Sequence, residues 1–221
     1  MFKKLIITIG IIITGLLAYS FNEYRLFSKT YSGVYINNTA KSNSALLIVD
    51  IQNDLTQPDG KVHVNQKQVD QIISNINKIS DILNDNNIEI IYIRHEYRSP
   101  FFKIILNDAL SEKSGGAKFD ERLNILNNNI FIKNYMDPFS NSHFQTYLNS
   151  KNIGCLLICG IDAKFCINKT VLSAIQKGYD VSIISDGIAG SCDDIRNQKI
   201  MDFKKLGVKI METENFIKRY E

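Results

Sequence analysis

Cys155-Leu-Leu-Ile-Cys159 is an apolar run typical of a strand, and Gly160-Ile-Asp-Ala-Lys-Phe165 leads from it into a helical pattern that begins at Cys166. The pattern continues to Lys177, and Gly178 stands where a glycine commonly ends a helix. A strand that passes directly into a helix is the repeating unit of parallel α/β folds. The stretch therefore predicts that Cys166 lies at the carboxyl end of a strand, in the first turn of a helix.

A thiol in this position has chemistry that a cysteine of the core lacks. Unpaired backbone N–H groups and the helix dipole favour the thiolate, which is the form that attacks carbon. The same N–H groups can hold an oxyanion. A catalytic thiolate also needs a group that manages its proton and a positive charge that stabilises it. Cys166 therefore predicts an enzyme, provided that two such partners exist.

Two further strand-like runs supply these partners. Ser44-Ala-Leu-Leu-Ile-Val-Asp50 ends in a carboxylate, and Asn129-Ile-Phe-Ile-Lys133 ends in an ammonium. In an open parallel sheet, ligands bind beyond the carboxyl ends of the strands, near the point where the strand order reverses. We therefore expect Asp50, Lys133 and Cys166 to meet in one crevice.

The rest of the pattern predicts one α/β domain. The expected fold class is a three-layer α/β/α domain, with a Rossmann-like parallel sheet of about six strands covered by helices on both faces. No GxGxxG motif follows any strand, which argues against a dinucleotide site. The further predicted elements are a helix from Gln66 to about Leu83, strands at Ile88–Ile93, Asp180–Ile184 and Val208–Ile210, a helix from about Asp193 to Leu206, and a loop or lid from Asn107 to Arg122.

Three linked motifs resemble a known family. The chain contains Asp50-Ile-Gln-Asn-Asp54, then Lys133 followed by Asp137-Pro-Phe139, then Gly160-Ile-Asp-Ala-Lys-Phe-Cys166. In this order and spacing the chain resembles the isochorismatase-like cysteine hydrolase superfamily, which includes nicotinamidases, N-carbamoylsarcosine amidases and isochorismatases. The resemblance runs from about Ser44 to the end of the chain.

The resemblance implies an Asp–Lys–Cys catalytic triad. Asp50 would take the thiol proton and pass it to the leaving amine, while Lys133 would stabilise the thiolate and orient Asp50. Cys166 would attack an amide or carbonyl carbon and form an acyl-enzyme that water hydrolyses. The expected function is cleavage of the C–N bond of a small amide. The alternatives are hydrolysis of an isochorismate-type vinyl ether and a non-catalytic, membrane-tethered binding domain of the same fold.

The resemblance also implies the surroundings of the triad. A cis peptide bond is expected between Ile161 and Asp162, so that the backbone N–H groups of Asp162 and Cys166 form an oxyanion hole. The side chain of Asp162 would disfavour an anionic substrate if it faces the pocket, whereas it carries no such information if it caps the helix. The candidate residues of the substrate pocket are Leu55, His95 and Phe165.

The histidines argue against a nicotinamidase metal site. Nicotinamidases bind a metal through an Asp-x-His pair and further histidines after the second strand, but this stretch reads Ile91-Tyr-Ile-Arg-His-Glu-Tyr-Arg98. One histidine does not supply a set of metal ligands, so neither a metal nor a cofactor is predicted. His95 is expected either to line the pocket or to pack on Tyr97. Arg94 and Arg98 would either bind a substrate carboxylate or be solvated.

The amino terminus predicts a membrane segment. Lys3 and Lys4 precede an uncharged run from Leu5 to Phe21, which as a helix would span about 26 Å, near the short limit for crossing a bilayer. A cleaved signal peptide is the alternative, with Ala18-Tyr-Ser20 as a passable cleavage site. The run is longer than the usual core of a signal peptide, which favours the anchor.

The predicted organisation is an anchor or signal peptide at residues 1–22, a tether at 23–43 and a hydrolase domain at 44–221. Because the basic pair precedes the apolar run, the domain is expected outside the cytoplasm, periplasmic or extracellular, or secreted if the segment is cleaved. Expected partners are a small-molecule substrate, the membrane and, as a homo-oligomer, further copies of the chain. The net charge of +3, from scattered basic residues, argues against nucleic-acid binding. No structural disulfide is expected, since Cys155 and Cys159 lie too far apart along one strand to bridge.

Overall fold

The strands form one parallel sheet. They are β1 (Asn43–Val49), β2 (Glu89–His95), β3 (Ile130–Lys133), β4 (Ile153–Ile161), β5 (Asp180–Ala189) and β6 (Lys209–Met211). The computed structural model describes residues 2–31 and 41–220, and from residue 6 onward it also describes their side chains. The strand order is β3-β2-β1-β4-β5-β6, and each neighbouring pair is parallel. The order reverses between β1 and β4, which is where such a sheet opens a crevice for a ligand.

Helices cover both faces of the sheet. They are α1 (Phe2–Phe27), α2 (Asn53–Thr56), α3 (Gln66–Asp85), α4 (Pro100–Ile105), α5 (Ser142–Ser150), α6 (Cys166–Gln176), α7 (Asp193–Lys205) and α8 (Thr213–Ile217), with a short 3-10 helix at Pro138–Ser140. Helices α3 and α8 pack on one face, and α5, α6 and α7 on the other. The predicted three-layer fold class is therefore confirmed.

The central strands are buried on both sides. In β1, Leu46 and Ile48 belong to the apolar cluster under α3, while Ala45, Leu47 and Val49 belong to the cluster under α6. Alternate residues of a strand point to opposite faces of a sheet, so a continuous apolar run is the pattern of a strand covered by helices on both faces. This is why the buried part of β1, residues 45–49, carries no polar residue.

The predicted elements are present with shifted ends. Strand β4 continues past its predicted end at Cys159 to Ile161, and β5 continues past Ile184 to Ala189. Gly178 has a φ of +86°, the left-handed conformation in which glycine ends a helix without steric cost. The short elements α4, α5, α8 and the 3-10 helix were not predicted, because their few residues show too little periodicity to be recognised.

Helix α1 extends beyond the predicted anchor. The helix passes residue 22 and ends at Phe27, inside the segment predicted as a tether, and the Phe27 side chain is only 6% exposed. Its apolar part, Ile6–Phe27, has a mean hydropathy of 1.5 and is the one helix among the described residues long and apolar enough to cross a membrane. Residues 32–40 of the predicted tether lie outside the described residues.

The loop between α4 and β3 is held by a buried carboxylate. Asp120 Oδ1 accepts hydrogen bonds from the backbone N and the Nε of Arg122, each at 2.9 Å. Asp120 Oδ2 accepts from Arg122 Nη2 at 2.7 Å and from Gln57 Nε2 at 3.0 Å. Burial opposes ionisation of Asp120, but the hydrogen bonds from Arg122 outweigh it and lower the pKa to about 2.

Asp120→Asn is expected to reduce the free energy of unfolding by about 2 kcal/mol at pH 7, because it breaks charge-assisted hydrogen bonds to a buried group. The folded pKa of about 2 lies below the unfolded value of about 3.9. The stabilisation is therefore complete above about pH 4 and disappears as the pH falls through the folded pKa. Urea titrations at several pH values measure this stability.

Asp70→Asn is the matched control, since the Asp70 carboxylate also pairs with Arg122 but is 72% exposed. This variant is expected to lose less than about 1 kcal/mol of unfolding free energy. Equal losses in the two variants would contradict the expectation.

Candidate active site

Four adjacent strands deliver four side chains to the crevice. Lys133 ends β3, His95 ends β2, Asp50 follows β1, and Cys166 begins α6 after β4. His95 and Lys133 are directly paired in the register of their strands. Because the four strands are neighbours in the sheet, their carboxyl ends bring these side chains together although they are far apart in sequence.

The ammonium of Lys133 lies at the centre of this group. Its Nζ is 2.8 Å from Asp50 Oδ2, 3.1 Å from Cys166 Sγ and 2.9 Å from His95 Nδ1. An ammonium has three N–H donors and no acceptor, so each of its protons has one partner here. The side chains of Lys133, Asp50 and His95 are almost completely buried, and Cys166 is partly buried.

The backbone around Asp50, His95 and Cys166 is held by two residues to which the sequence assigned no role. The buried Gln52 side chain donates to the carbonyl of His95 at 2.8 Å and accepts from its N–H at 2.8 Å, which ties the loop after β1 to the end of β2. Gly160 has a φ of +125°, and a Cβ there would stand 2.0 Å from the carbonyl oxygen of Val49. Only glycine lets β4 approach β1 this closely.

Burial sets the charges of the site. It raises the pKa of Asp50 above its ordinary value, although Lys133 opposes that shift. It lowers the pKa of His95 well below its ordinary value, and the neighbouring Lys133 charge acts in the same direction, so His95 is neutral and accepts through Nδ1. For Lys133, burial is outweighed by Asp50 and Cys166, and its pKa is raised. The site thus holds a permanent ammonium.

Cys166 is a neutral thiol, whereas its position at the start of a helix led us to expect a thiolate. Burial raises the pKa of the Cys166 thiol, and this effect exceeds the opposing effect of Lys133, while the carboxylate of Asp50 raises it further. The Lys133 cation faces two groups that can each carry a negative charge, the Asp50 carboxyl and the Cys166 thiol. Asp50 is the stronger acid, so it is the one that is ionised. Cys166 is therefore a thiol at rest, close to the carboxylate of Asp50.

The peptide bond between Ile161 and Asp162 is cis. In the described part of the chain, neither the N–H of Asp162 nor that of Cys166 is bonded to a protein acceptor. The Asp162 side chain accepts from the backbone N–H of Lys164 at 2.6 Å, and its carbonyl accepts from Ile167 N at 3.0 Å. Asp162 therefore holds the turn that leads into α6.

A cavity of about 380 Å³ opens over Asp50 and Cys166, within the size range of small-molecule sites. Leu55, His95 and Phe165, the candidate pocket residues, all line it, as do Asp50 and Cys166. The rest of the lining is mostly apolar. His95 does both things that were considered for it, since its ring centroid also lies 4.2 Å from that of Tyr97.

The charge lining the cavity is acidic. Asp162 lines it together with Asp50, and no lysine or arginine side chain does so among the described residues. Arg94 is paired with Glu96 at 2.8 Å and Arg98 with Glu112 at 3.2 Å. These arginines, considered as possible carboxylate ligands, are thus neutralised by neighbours outside the cavity.

The residues present do not fit a metal ion. Asp50, His95 and Cys166 each offer a donor atom, and these atoms lie within 4.8 Å of one another. The position between them is taken by the Lys133 ammonium, whose three short contacts use the same atoms. A metal cation in that position would meet the positive charge of Lys133, so this arrangement disfavours a metal ion.

The amino-terminal helix contributes to the cavity, which the sequence reasoning missed. Tyr24 and Phe27 line it, with Phe101 and Phe102 from α4. The Phe27 ring centroid is 4.4 Å from that of Phe102 and 5.8 Å from that of His95. The one available signal was an aromatic residue at each of positions 24 and 27, three apart and so on one face of a helix.

Comparison with known proteins identifies the family. The isochorismatase domain model matches residues 44–215, so the chain belongs to the isochorismatase family and is a hydrolase of that family. A relative from Arabidopsis thaliana, named "Probable inactive nicotinamidase", is 26% identical over 76% of this chain and 91% of its own length. The N-carbamoylsarcosine amidase of an Arthrobacter species is 24% identical over 61% of this chain and 55% of its own. The solved structure of an isochorismatase-like hydrolase from Alkaliphilus metalliredigens superposes with a TM-score of 0.74 at 19% identity, covering 81% of this chain and 100% of its own.

Proposed function

We propose that the protein hydrolyses the C–N bond of a small carboxamide, with Cys166 as the nucleophile and an acyl-enzyme intermediate. The observation that carries the proposal is the Lys133 ammonium, which lies within 3.1 Å of both Asp50 and Cys166. A core cysteine needs no buried ion pair beside it, whereas a nucleophilic thiol needs a proton acceptor and a cation. The N-carbamoylsarcosine amidase relative supports the same reaction class.

The first half-reaction forms a thioester. Asp50 accepts the thiol proton as the sulfur of Cys166 bonds to the amide carbon, and Lys133 compensates the negative charge throughout. The carbonyl oxygen takes up the electron pair and is stabilised by the N–H groups of Asp162 and Cys166, which have no protein acceptor. Asp50 then gives its proton to the nitrogen, the C–N bond breaks, and ammonia or an amine leaves.

The second half-reaction returns the enzyme to its starting state. Water attacks the thioester carbon while Asp50 accepts its proton. As the C–S bond breaks, Asp50 returns that proton to the sulfur, which releases a carboxylic acid and restores the Cys166 thiol and the Asp50 carboxylate. A buried carboxylate suits both roles, because burial raises its pKa towards the working pH. His95 acts as a positioning residue, since its Nδ1 fixes the third proton of Lys133.

The lining of the cavity favours an uncharged amide over the alternatives. A dianionic vinyl-ether substrate would meet the carboxylate of Asp162 at the cavity wall, without a lining arginine or lysine among the described residues to pair with it. A non-catalytic binding domain would have no use for the buried ion pair, whose desolvation is costly. The Arabidopsis relative is named as probably inactive, so the experiments must be able to detect a binding domain without activity.

We also infer that α1 anchors the protein in a membrane and that the hydrolase domain lies outside the cytoplasm. The support is the exposed apolar span Ile6–Phe27 and the lysine pair before it. Carbonate extraction of membranes tests the anchor. Release of the protein into the soluble fraction would instead favour cleavage after Ser20.

The pH profile tests the proposed base. Turnover requires ionised Asp50, so kcat/KM is expected to fall about tenfold per pH unit below the pKa of Asp50. Because burial raises that pKa, the fall should begin at a pH above the ordinary carboxylate pKa of about 4. Ammonia release from neutral carboxamides measures it. Asp50→Asn is expected to lose about 10²- to 10⁴-fold at every pH, while Asp59→Asn, an exposed carboxylate outside the cavity, keeps the wild-type profile. An unchanged acid limb in Asp50→Asn would contradict the assignment.

A further inference from the structure

The end of α1 is a wall of the active-site cavity. Tyr24 and Phe27 line the cavity, and the Phe27 ring packs between His95 and Phe102. His95 in turn contacts Lys133. The helix that would cross the membrane therefore ends one side chain away from the catalytic group.

Two backbone contacts fasten this wall to the domain. The carbonyl of Phe27 accepts from the N–H of Met136 at 3.2 Å. Four residues later, the N–H of Tyr31 donates to Asp137 Oδ2 at 2.6 Å. Met136 and Asp137 follow β3, whose last residue is Lys133. Helix α1 is thus fixed to the same loop that follows the catalytic lysine.

Helix α4 joins α1 in one apolar surface at the mouth of the cavity. The Phe101 ring packs edge-on against Tyr19 of α1, with centroids 6.4 Å apart, and Phe101 also lines the cavity. Ile104 is 82% exposed and Ile105 is 59% exposed, and Ile105 lines the cavity as well. Exposed apolar residues next to a membrane helix indicate a surface that contacts lipid.

The position of Tyr19 fixes the depth of this surface. Tyr19 belongs to the uncharged run that ends at Phe21. Tyr24, the first residue of the cavity wall, follows three residues after Phe21, which is about 4.5 Å along a helix. When the run spans the bilayer, the mouth of the cavity lies at the membrane surface. Tyrosine is typical of that interface.

We propose that the substrate is an uncharged, membrane-partitioned carboxamide that enters the cavity from the bilayer surface between α1 and α4. The inference rests on the proposed function and names the substrate class of the same site. An apolar chain occupies the wall formed by Phe27, Phe101 and Ile105, and the amide carbon reaches Cys166 at the far end. The Asp162 carboxylate, which lines the cavity, disfavours anionic lipids at the catalytic end.

The test compares iodoacetamide with N-decyl iodoacetamide on the full chain in phosphatidylcholine nanodiscs at pH 8.5. In both reagents the Cys166 sulfur displaces iodide from carbon, and its proton passes to the buffer. Peptide mass spectrometry measures the labelling rate of each cysteine. For each cysteine, the labelling rate with N-decyl iodoacetamide is divided by the rate with iodoacetamide. This ratio is expected to be at least about tenfold higher at Cys166 than at Cys155, since each buried methylene strengthens binding about fourfold. Cys155, at the opposite end of β4, corrects for partitioning of the reagent.

Two matched variants locate the route. Ile105→Gln is expected to lower the Cys166 ratio several-fold. Met201→Gln, which changes a 52% exposed residue of α7 outside the cavity, is expected to leave it unchanged. Equal ratios at Cys166 and Cys155, equal effects of the two variants, or no decyl adduct at Cys166 would each overturn the membrane route.

Amide turnover separates this inference from the proposed function. Butanamide and dodecanamide are supplied to the same nanodiscs, and ammonia release is measured. Preference for dodecanamide supports both proposals. Turnover of butanamide alone, with equal labelling ratios, overturns the membrane route and leaves amide hydrolysis standing. A high Cys166 ratio without turnover of either amide overturns amide hydrolysis but not the apolar entry route.

Discussion

Cys166→Ala is expected to lose turnover by on the order of a million-fold while the protein keeps its fold. The side chain supplies the only atom in the proposed reaction that bonds to the substrate, so no neighbouring group replaces it. The thiol is partly buried and its removal leaves Lys133 with its contacts to Asp50 and His95. The melting temperature should therefore change by only a few degrees.

Two measurements bear on Cys166. The first is kcat on a neutral carboxamide for the wild type, for Cys166→Ala and for the matched control Cys155→Ala, which changes a half-buried cysteine of β4 outside the cavity. The second is the intact mass of the wild type after an acid quench during turnover, where the acyl group should appear on Cys166. Turnover retained in Cys166→Ala would rule the mechanism out. A wild type inactive on every amide would favour the binding domain.

Lys133→Met is expected to cost both activity and stability. Activity should fall by on the order of a thousandfold, because the charge that compensates Asp50 and the attacking sulfur is lost. The free energy of unfolding should fall by about 3–5 kcal/mol at pH 7, because removal of one partner of a buried ion pair leaves a carboxylate buried without compensation. Both partners are 1% exposed.

The pH dependence identifies the source of the lost stability. Burial already raises the folded pKa of Asp50, and Lys133 is what opposes that shift, so the pKa rises further in the variant. A carboxylate with a raised folded pKa destabilises the protein above that pKa, and stability recovers as the pH falls through it. The defect of Lys133→Met should therefore shrink in acid, as unfolding titrations across pH measure.

Two further variants complete this experiment. Lys133→Met combined with Asp50→Asn should recover much of the stability at pH 7 without recovering activity. Lys177→Met is the matched control, since Lys177 is also buried but contacts Gln145 at 3.2 Å, away from the cavity. It should lower stability and leave kcat unchanged. A defect of Lys133→Met that is independent of pH would contradict the coupling to Asp50.

The sequence was sufficient to predict how the strands place their carboxyl ends. Asp50, Lys133 and the start of α6 follow from three apolar runs, because hydrophobic periodicity is a local property of the chain. The protonation state of Cys166 was not predictable in the same way. It depends on burial by residues distant in sequence, and burial raises the pKa of the thiol by more than the neighbouring Lys133 lowers it.

The role of α1 in the site was not predictable for the same reason. The polar residues around Glu23 and Arg25 suggested a tether, whereas the buried side of the same turn carries Phe27. That side chain is buried because α4, the end of β2 and the loop after β3 lie beside it. Helix α4 itself has six residues, and the exposed Ile104 and Ile105 do not follow the pattern of a soluble amphipathic helix.

Because α1 is attached to the domain at its carboxyl end, the length of the helix and the spacing of its aromatic residues are constrained separately. Since Phe27 and, four residues after the helix, Tyr31 fix the end of α1 to the domain, changes of length upstream of Tyr19 would alter only the fit of the proposed anchor to bilayer thickness. A residue inserted between Tyr19 and Tyr24 would instead rotate Tyr19 by about 100° away from Phe101. Related chains that share the proposed anchor are thus expected to vary in its length but to keep the spacing between these aromatic positions constant.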